Sequence, residues 1–256
     1  MSSDNLKNDW DPESYASFRG LRLRPALDLL AQVAALPEGD VVDLGCGDGA
    51  AAGALRVRFP DRRIIGVDTS ETMLAKAKGY DALTQADVAE WQPETPPALI
   101  FSNACLHWLP DHAALLPRLV GVLAEGGTLA VQMPRQFAAP SHALIRDVAG
   151  QADFIAPVAT PVAYANMLSP LGEVSVWETD YVQRLDPVAQ GHPVRHFTQS
   201  TAMRPYTADL EDGAKAAFVA AYDDALEASY PRGVDGSVLF PFKRLFFVIR
   251  KGAVTG

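Results

Sequence analysis

Val41-Val42-Asp43-Leu44-Gly45-Cys46-Gly47-Asp48-Gly49 runs two apolar residues and an acid into three glycines at alternate positions, and Ala50-Ala51-Ala52-Gly53-Ala54-Leu55 follows. The pattern reads as a buried strand that ends in a tight glycine turn and opens a helix. Glycine suits the turn because the backbone must bend sharply and a ligand must lie against it with no Cβ in the way. The helix N-terminus adds oriented N–H groups and partial positive charge. The stretch therefore predicts the site of a nucleotide-like cofactor.

Working outward, Arg24-Pro25 predicts a helix with Pro25 in its first turn and an apolar face of Leu27, Leu30, Val33 and Ala34. After the glycine turn, a helix runs to about Phe59. Arg63 to Asp68 reads as a strand ending in an acid, and Ser70 caps a helix over Glu71-Thr72-Met73-Leu74. Strands are expected at 82–85, 98–102 and 128–132. A helix is expected over about 111–124, kinked or restarted at Pro117 and ended by Gly126-Gly127. Alternating strands and helices imply a doubly wound, mostly parallel α/β sheet. Helical stretches are expected over 134–172, then a strand at 174–181 and a terminal strand at 246–250. Leu210, Ala214, Phe218, Tyr222, Leu226 and Tyr230, at four-residue spacing, mark one helix of a longer insertion. The expected organisation is a single domain: a lid segment at 1–36, a core at 37–185 and 243–256, and a helical cap at 186–242.

Two cofactors fit the glycine turn. Gly45-x-Gly47-x-x-Ala50 matches the dinucleotide fingerprint loosely. Asp43 before the first glycine and Gly49 in third place favour S-adenosylmethionine instead, because the acid can accept a hydrogen bond from the amino-acid ammonium, which NAD lacks. Asp68, 19 residues after Gly49, is placed for the ribose hydroxyls, with Thr69 beside it, or else caps the helix that follows. Asp87 and the backbone of Val88 follow the third strand, in a solvated turn or, as a resemblance to the class I methyltransferases would imply, at the adenine edge. Met73 would pack on the adenine, or else belong to ordinary core.

Composition narrows the substrate. The net charge is −9 with no lysine or arginine block, which disfavours nucleic acid as a partner. No apolar run approaches a membrane span, and no secretory signal core begins the chain. Two cysteines, Cys46 and Cys105, do not make a disulfide framework. Cys46 reads as a small filler of the turn. His192 and His196 are four apart, but Pro193 and the missing third ligand argue against a metal. A cytoplasmic enzyme acting on a small molecule, without an obligate protein partner, fits best.

Asp43-Leu44-Gly45-Cys46-Gly47-Asp48-Gly49 resembles the first motif of the class I S-adenosylmethionine-dependent methyltransferases, a seven-stranded Rossmann-like fold with a reversed last strand. Asn103-Ala104-Cys105-Leu106-His107-Trp108-Leu109-Pro110-Asp111-His112 is similar to the trans-aconitate 2-methyltransferase family. So are D-W-D-P-x-x-Y at 9–15, R-x-R-P at 22–25, W-Q-P at 91–93, L-A-V-Q-M-P at 129–134, R-P-Y at 204–206 and R-L-F at 244–246. The resemblance covers nearly the whole chain. It implies transfer of a methyl to a carboxylate of trans-aconitate or a related tricarboxylate, giving a monomethyl ester and S-adenosylhomocysteine.

In that family's fold Asn103 lies where it could reach the methionine portion of the cofactor. Arg22, Arg204 and Arg244 fall in the family-like motifs and offer the forked donors a tricarboxylate needs. Tyr15, Tyr164 and Tyr206 could add hydroxyls, and His107 and Trp108 would line the pocket. A carboxylate is ionised at neutral pH and needs no base, so no residue is assigned to the chemistry beyond positioning and desolvation. His107 becomes a base only for an alternative acceptor, a phenol or amine. An NAD-dependent oxidoreductase and a non-catalytic cofactor binder complete the alternatives.

Overall fold

A computed structural model describes residues 19–151, 154 and 156–252, with backbone alone for 19–22. Tyr15 and the 9–15 motif lie outside the described residues, as does the side chain of Arg22. Seven strands form one sheet: β1 (Val41–Leu44), β2 (Ile64–Asp68), β3 (Ala82–Gln85), β4 (Leu99–Asn103), β5 (Thr128–Pro134), β6 (Gly172–Leu185) and β7 (Val238–Lys251). Their order is β3-β2-β1-β4-β5-β7-β6. The first five pair in parallel, and β7 runs antiparallel to β5, so the last strand is reversed. The strand order turns away from β1 in both directions. In open α/β sheets that is where a ligand crevice forms, outside the carboxyl ends of the strands.

The central strands are buried on both faces, as their apolar runs predict. On one face α1 (Arg19–Ala31) and α2 (Ala52–Arg58) pack Ala26, Leu29, Leu30 and Leu55 against Val41, Leu99, Phe101, Ala130 and Phe246. Two expectations for α1 are corrected. Pro25 lies inside the helix, and the buried stripe is Ala26, Leu29 and Leu30, while Leu27 is 44% exposed; beyond the helix end Val33 is buried as expected and Ala34 is exposed. The helix capped by Ser70, α3 (Glu71–Leu74), is a single turn whose cap accepts from Met73 N at 3.3 Å. α4 (His112–Gly121) runs through Pro117 without restarting, and it ends five residues before Gly126.

The chain divides into two compact units. Among the described residues, one holds 21–135, 156–181 and 242–252, including all five parallel strands. Among the described residues, the second gathers 136–151, 154 and 182–241, and β6 and β7 each pass from one unit into the other. α6 (Pro161–Leu168) lies in the first unit. The second is built from α5 (Pro140–Val148), α7 (Pro193–Thr198), α8 (Arg204–Thr207) and α9 (Asp212–Ser229). α9 buries Phe218, Tyr222 and Leu226 at the predicted spacing, whereas Leu210 and Ala214 precede or face away from that stripe and are exposed. Tyr222 Oη donates to Ser141 O at 2.7 Å, and Tyr230 Oη accepts from Ser141 N at 3.1 Å, tying α9 to α5.

Gly45 has φ +79°, and a Cβ there would overlap Cys105 Sγ and Cβ. Left-handed strain and overpacking together predict that Gly45→Ala lowers stability by roughly 2–5 kcal/mol. Gly53, with open space around it in α2, should gain about 0.5–1 kcal/mol as alanine. Denaturant unfolding of the two variants checks both signs.

Candidate active site

Register places a line of polar side chains on one sheet face. Asp43 pairs with Phe101, and Phe101 is two residues before Asn103. Asn103 pairs with Gln132, and Pro134, two residues on from Gln132, pairs with Arg244. Paired residues, and residues two apart along a strand, share a face. Asp43, Asn103, Gln132 and Arg244 therefore stand in order on β1, β4, β5 and β7, near the carboxyl ends of the parallel strands.

Asp43 is 2% exposed, and Tyr80 Oη donates to its Oδ2 at 2.6 Å. Burial, with a contribution from the Asp68 charge, pushes its carboxyl up to about 7, partly offset by the Tyr80 bond. The Tyr80 ring also sits against the turn. A Cβ on Gly49 or Gly66 would come within 3.2 or 3.1 Å of it. Tyr80, in a short glycine-containing turn without a motif, was not singled out by sequence reasoning. Gly47, at φ +55°, has only Met73 Cε near its missing Cβ, at 3.9 Å, so a ligand can approach the backbone there. Its N–H donates to Asp68 Oδ2 at 2.8 Å, and Ser70 N–H donates to Asp68 Oδ1 at 2.9 Å. Asp68 thus fixes the glycine turn and the start of α3 together.

Cys46 is buried, and burial with the Asp43 and Asp68 charges pushes its thiol up; Cys105 is pushed up to about 12 chiefly by burial. Neither is a thiolate nucleophile at neutral pH. Asp87 is exposed, with Oδ1 accepting from Ala89 N at 2.8 Å. Arg118 holds the same loop by donating to Val88 O at 2.8 Å and Trp91 O at 2.6 Å. Thr69 is exposed, and its carbonyl accepts from Gln85 Nε2 at 3.1 Å.

The segment after β4 is strained on both sides of His107. Ala104 has φ 55° and Asp111 φ 54°, a region costly for residues with a Cβ. The Ala104 N–H donates to Gln132 O at 2.9 Å, which holds the first bend against β5. Asp111 caps α4 by accepting from Ala114 N at 3.1 Å. His107 is buried, and burial together with the Arg244 charge pulls its pKa down to about 3, so the ring is neutral. Its ring lies 4.6 Å from that of Trp108, which is 56% exposed.

Arg244 is 6% exposed; its Nη1 donates to Gln132 Oε1 at 3.4 Å, and its guanidinium lies 4.4 Å from the Phe242 ring centroid. Three buried polar atoms around it lack a hydrogen-bond partner among the described residues: Asn103 Oδ1, His107 Nδ1 and Gln132 Nε2. Such atoms are costly unless a ligand satisfies them. Gln132 was also missed by sequence reasoning. Its one signal is that it keeps phase with Ala130 on a strand buried on both faces. Tyr164 is fully buried, with its hydroxyl 2.5 Å from His112 Nδ1 and 3.4 Å from Ala159 N, so that hydroxyl is engaged within the fold. Arg204 and Tyr206, both half-buried, lie on α8 in the second unit. Among the described residues, no group of three or more His, Cys, Asp or Glu is arranged to hold a metal ion. Nor is any helix there long and apolar enough to cross a membrane.

A family described as a methyltransferase domain matches residues 15–169. The chain is 44% identical to a trans-aconitate 2-methyltransferase of Methylobacterium nodulans, over 95% of this chain and 98% of that protein. It is 41% identical to one of Methylobacterium radiotolerans, over 96% and 99%. Among solved structures, phosphoethanolamine N-methyltransferase 2 of Haemonchus contortus, in complex with phosphomonomethylethanolamine and S-adenosylhomocysteine, shares the fold. The TM-score is 0.54 at 17% identity, over 90% of this chain and 53% of that longer one. The strand order, the glycine turn after β1 and the near-full-length matches converge: the chain belongs to the trans-aconitate 2-methyltransferase family, on the class I methyltransferase fold.

Proposed function

We propose that the chain methylates a carboxylate of trans-aconitate, or of a related small tricarboxylate, using adenosylmethionine. The observation that carries the reading is Arg244: a guanidinium buried on the same sheet face as Asp43 and Asn103, in a protein of net charge −9. An acidic surface does not gather anions, so the affinity must come from a local cation in a desolvated pocket, where its charge is least screened.

The residues fit the cofactor. Gly47 leaves room for it, Asn103 Oδ1 is a buried acceptor in want of a donor, and Asp43 is a second buried acceptor. In this reading Asp43 and Asn103 receive the amino-acid end, with Gly45, Cys46 and Gly49 shaping the turn. Asp68 and Thr69 take the ribose, and Met73, Asp87 and Val88 the adenine. When bound, adenosylmethionine supplies an electrophilic methyl group on a sulfonium sulfur.

The protein's part is then to orient and dry the acid, because a carboxylate is already ionised at neutral pH. Arg244 holds negative charge, and the neutral His107 ring lines the pocket without competing for a proton. A ring with pKa near 3 is a poor base for a phenol or amine acceptor, which disfavours that alternative. Arg204 and Tyr206 are proposed as substrate ligands on their R-P-Y motif, and Arg22 and Tyr15 on theirs. Both reactants are charged and cross membranes poorly, so the reading also places the enzyme in the cytoplasm.

Methyl transfer from labelled adenosylmethionine to di- and tricarboxylates, beside a phenol and an amine, tests this reading. Base-labile label on trans-aconitate is expected; label on the phenol or amine alone would sink the carboxylate reading. Arg244→Ala should raise the KM for the acid by about 10–100-fold with cofactor affinity nearly intact, and Asp68→Ala should do the reverse. Calorimetry with adenosylhomocysteine across pH tests Asp43. Its carboxyl must lose a proton to receive an ammonium, and that proton is held up to about pH 7. Affinity should therefore weaken as pH falls below about 7, by at most about tenfold per pH unit. Asp43→Asn should bind more weakly and lose this pH dependence. The same linkage makes the ligand-free fold lose stability as pH rises from about 4 to about 7, because the folded state holds the proton more tightly than the unfolded chain.

A further inference from the structure

Gln132 has no role in the site as assigned so far. It is fully buried in β5, opposite Asn103 of β4 and Phe246 of β7. Its Oε1 accepts from Arg244 Nη1, which fixes which end of the amide faces the guanidinium, while Nε2 has no hydrogen-bond partner among the described residues. A buried amide nitrogen left in that state costs about 1–3 kcal/mol. Polarity sorts along the face. Acceptors stand on β1 and β4, as Asp43 and Asn103 Oδ1; donors stand on β5 and β7, as Gln132 Nε2 and Arg244. His107, neutral beside them, can donate one N–H without titrating near neutral pH.

We propose that Gln132 and Arg244 together form a clamp for a carboxylate of the acid other than the one that is esterified. The clamp rests on the functional reading above and deepens it. The amide and the guanidinium both present N–H groups, and a carboxylate, with two oxygens and about four lone pairs, can accept from both at once. Adjacent strands lie about 4.8 Å apart, so the clamp stands roughly 5–10 Å along the sheet from Asn103. The short end of that range is comparable with the separation of carboxyl groups in a small polycarboxylate. One carboxylate held between β5 and β7 leaves another of the same molecule nearer β4. Selection for polycarboxylates over monocarboxylates then follows from the strand order.

The test compares the wild-type chain with Gln132→Met, which keeps the length but removes the donors, and Gln132→Glu, which sets an anion beside Arg244. For each, kcat and KM are measured with trans-aconitate and with crotonate, a monocarboxylate. Calorimetry reads adenosylhomocysteine binding, and then trans-aconitate binding in its presence. Gln132→Met is expected to raise the trans-aconitate KM by about 10–100-fold with little change in kcat. Its effect on crotonate should stay within about threefold, and on adenosylhomocysteine affinity within about twofold. Gln132→Glu should lose more on trans-aconitate. Equal losses on both acids, no loss on either, or a parallel loss of adenosylhomocysteine affinity would overturn the clamp. Acid binding is read without turnover, so the two ideas separate. Wild type that binds trans-aconitate through Gln132 yet esterifies no acid overturns the functional reading and upholds the clamp; wild type that binds no acid overturns both.

Discussion

Asp43 carries a carboxyl group to the end of β1 and buries it there, and a buried carboxyl must be either protonated or matched. Tyr80 supplies one hydrogen bond, and the pKa near 7 shows that one is not enough to keep the charged form favoured. The glycine turn is built around this demand. Gly45 leaves the strand at a positive φ with Cys105 packed where a side chain would be, and Gly47 leaves its approach open. Asp68, from the neighbouring strand, pins the turn through Gly47 N–H. The fold buries a poised acid beside the glycine turn, at the carboxyl end of β1.

Three strands away in the sheet order, the same face carries a charge of the opposite sign. Arg244 is nearly as buried as Asp43, beside the neutral amide of Gln132 and the ring of Phe242. Between the two charges stand Asn103 and Gln132, and the neutral His107 feels the Arg244 charge. A sheet face with an anion at one end and a cation at the other suits a pair of ligands whose reacting groups are oppositely charged. Transfer of a methyl from sulfonium to carboxylate cancels those charges, which a water-poor pocket favours over bulk water. The left-handed Ala104 and Asp111 hold the His107 segment in a conformation the chain would not adopt unaided.

Much of this was legible in the sequence because the signals were local. Val41 to Leu44 is a strand over the residues expected, since apolar run, acid and glycine follow one another without ambiguity, and Ala82 to Gln85 is also a strand over the residues expected. The stripe of α9 was legible for the same reason. α1 was misread because Pro25 resembles a helix start, while backbone packing places it mid-helix and turns Leu29 inward in place of Leu27. β6 and β7 extend far beyond their apolar centres because pairing in the sheet, not hydrophobicity, sets where they end. Within the candidate site, Asp43, Asn103 and Arg244 are expectations drawn from their neighbours in sequence, and what the structure adds is that they share one sheet face. Gln132 and Tyr80 could not be drawn that way, because their meaning comes from partners 112 and 37 residues away.

The most direct test of this account is a crystal structure of the chain with adenosylhomocysteine and trans-aconitate bound together. The amino-acid ammonium is expected at Asp43 and a carboxylate of the acid on Arg244 and Gln132, with a second carboxylate turned toward the sulfur. An acid bound away from β5 and β7, or an ammonium away from Asp43, would contradict it.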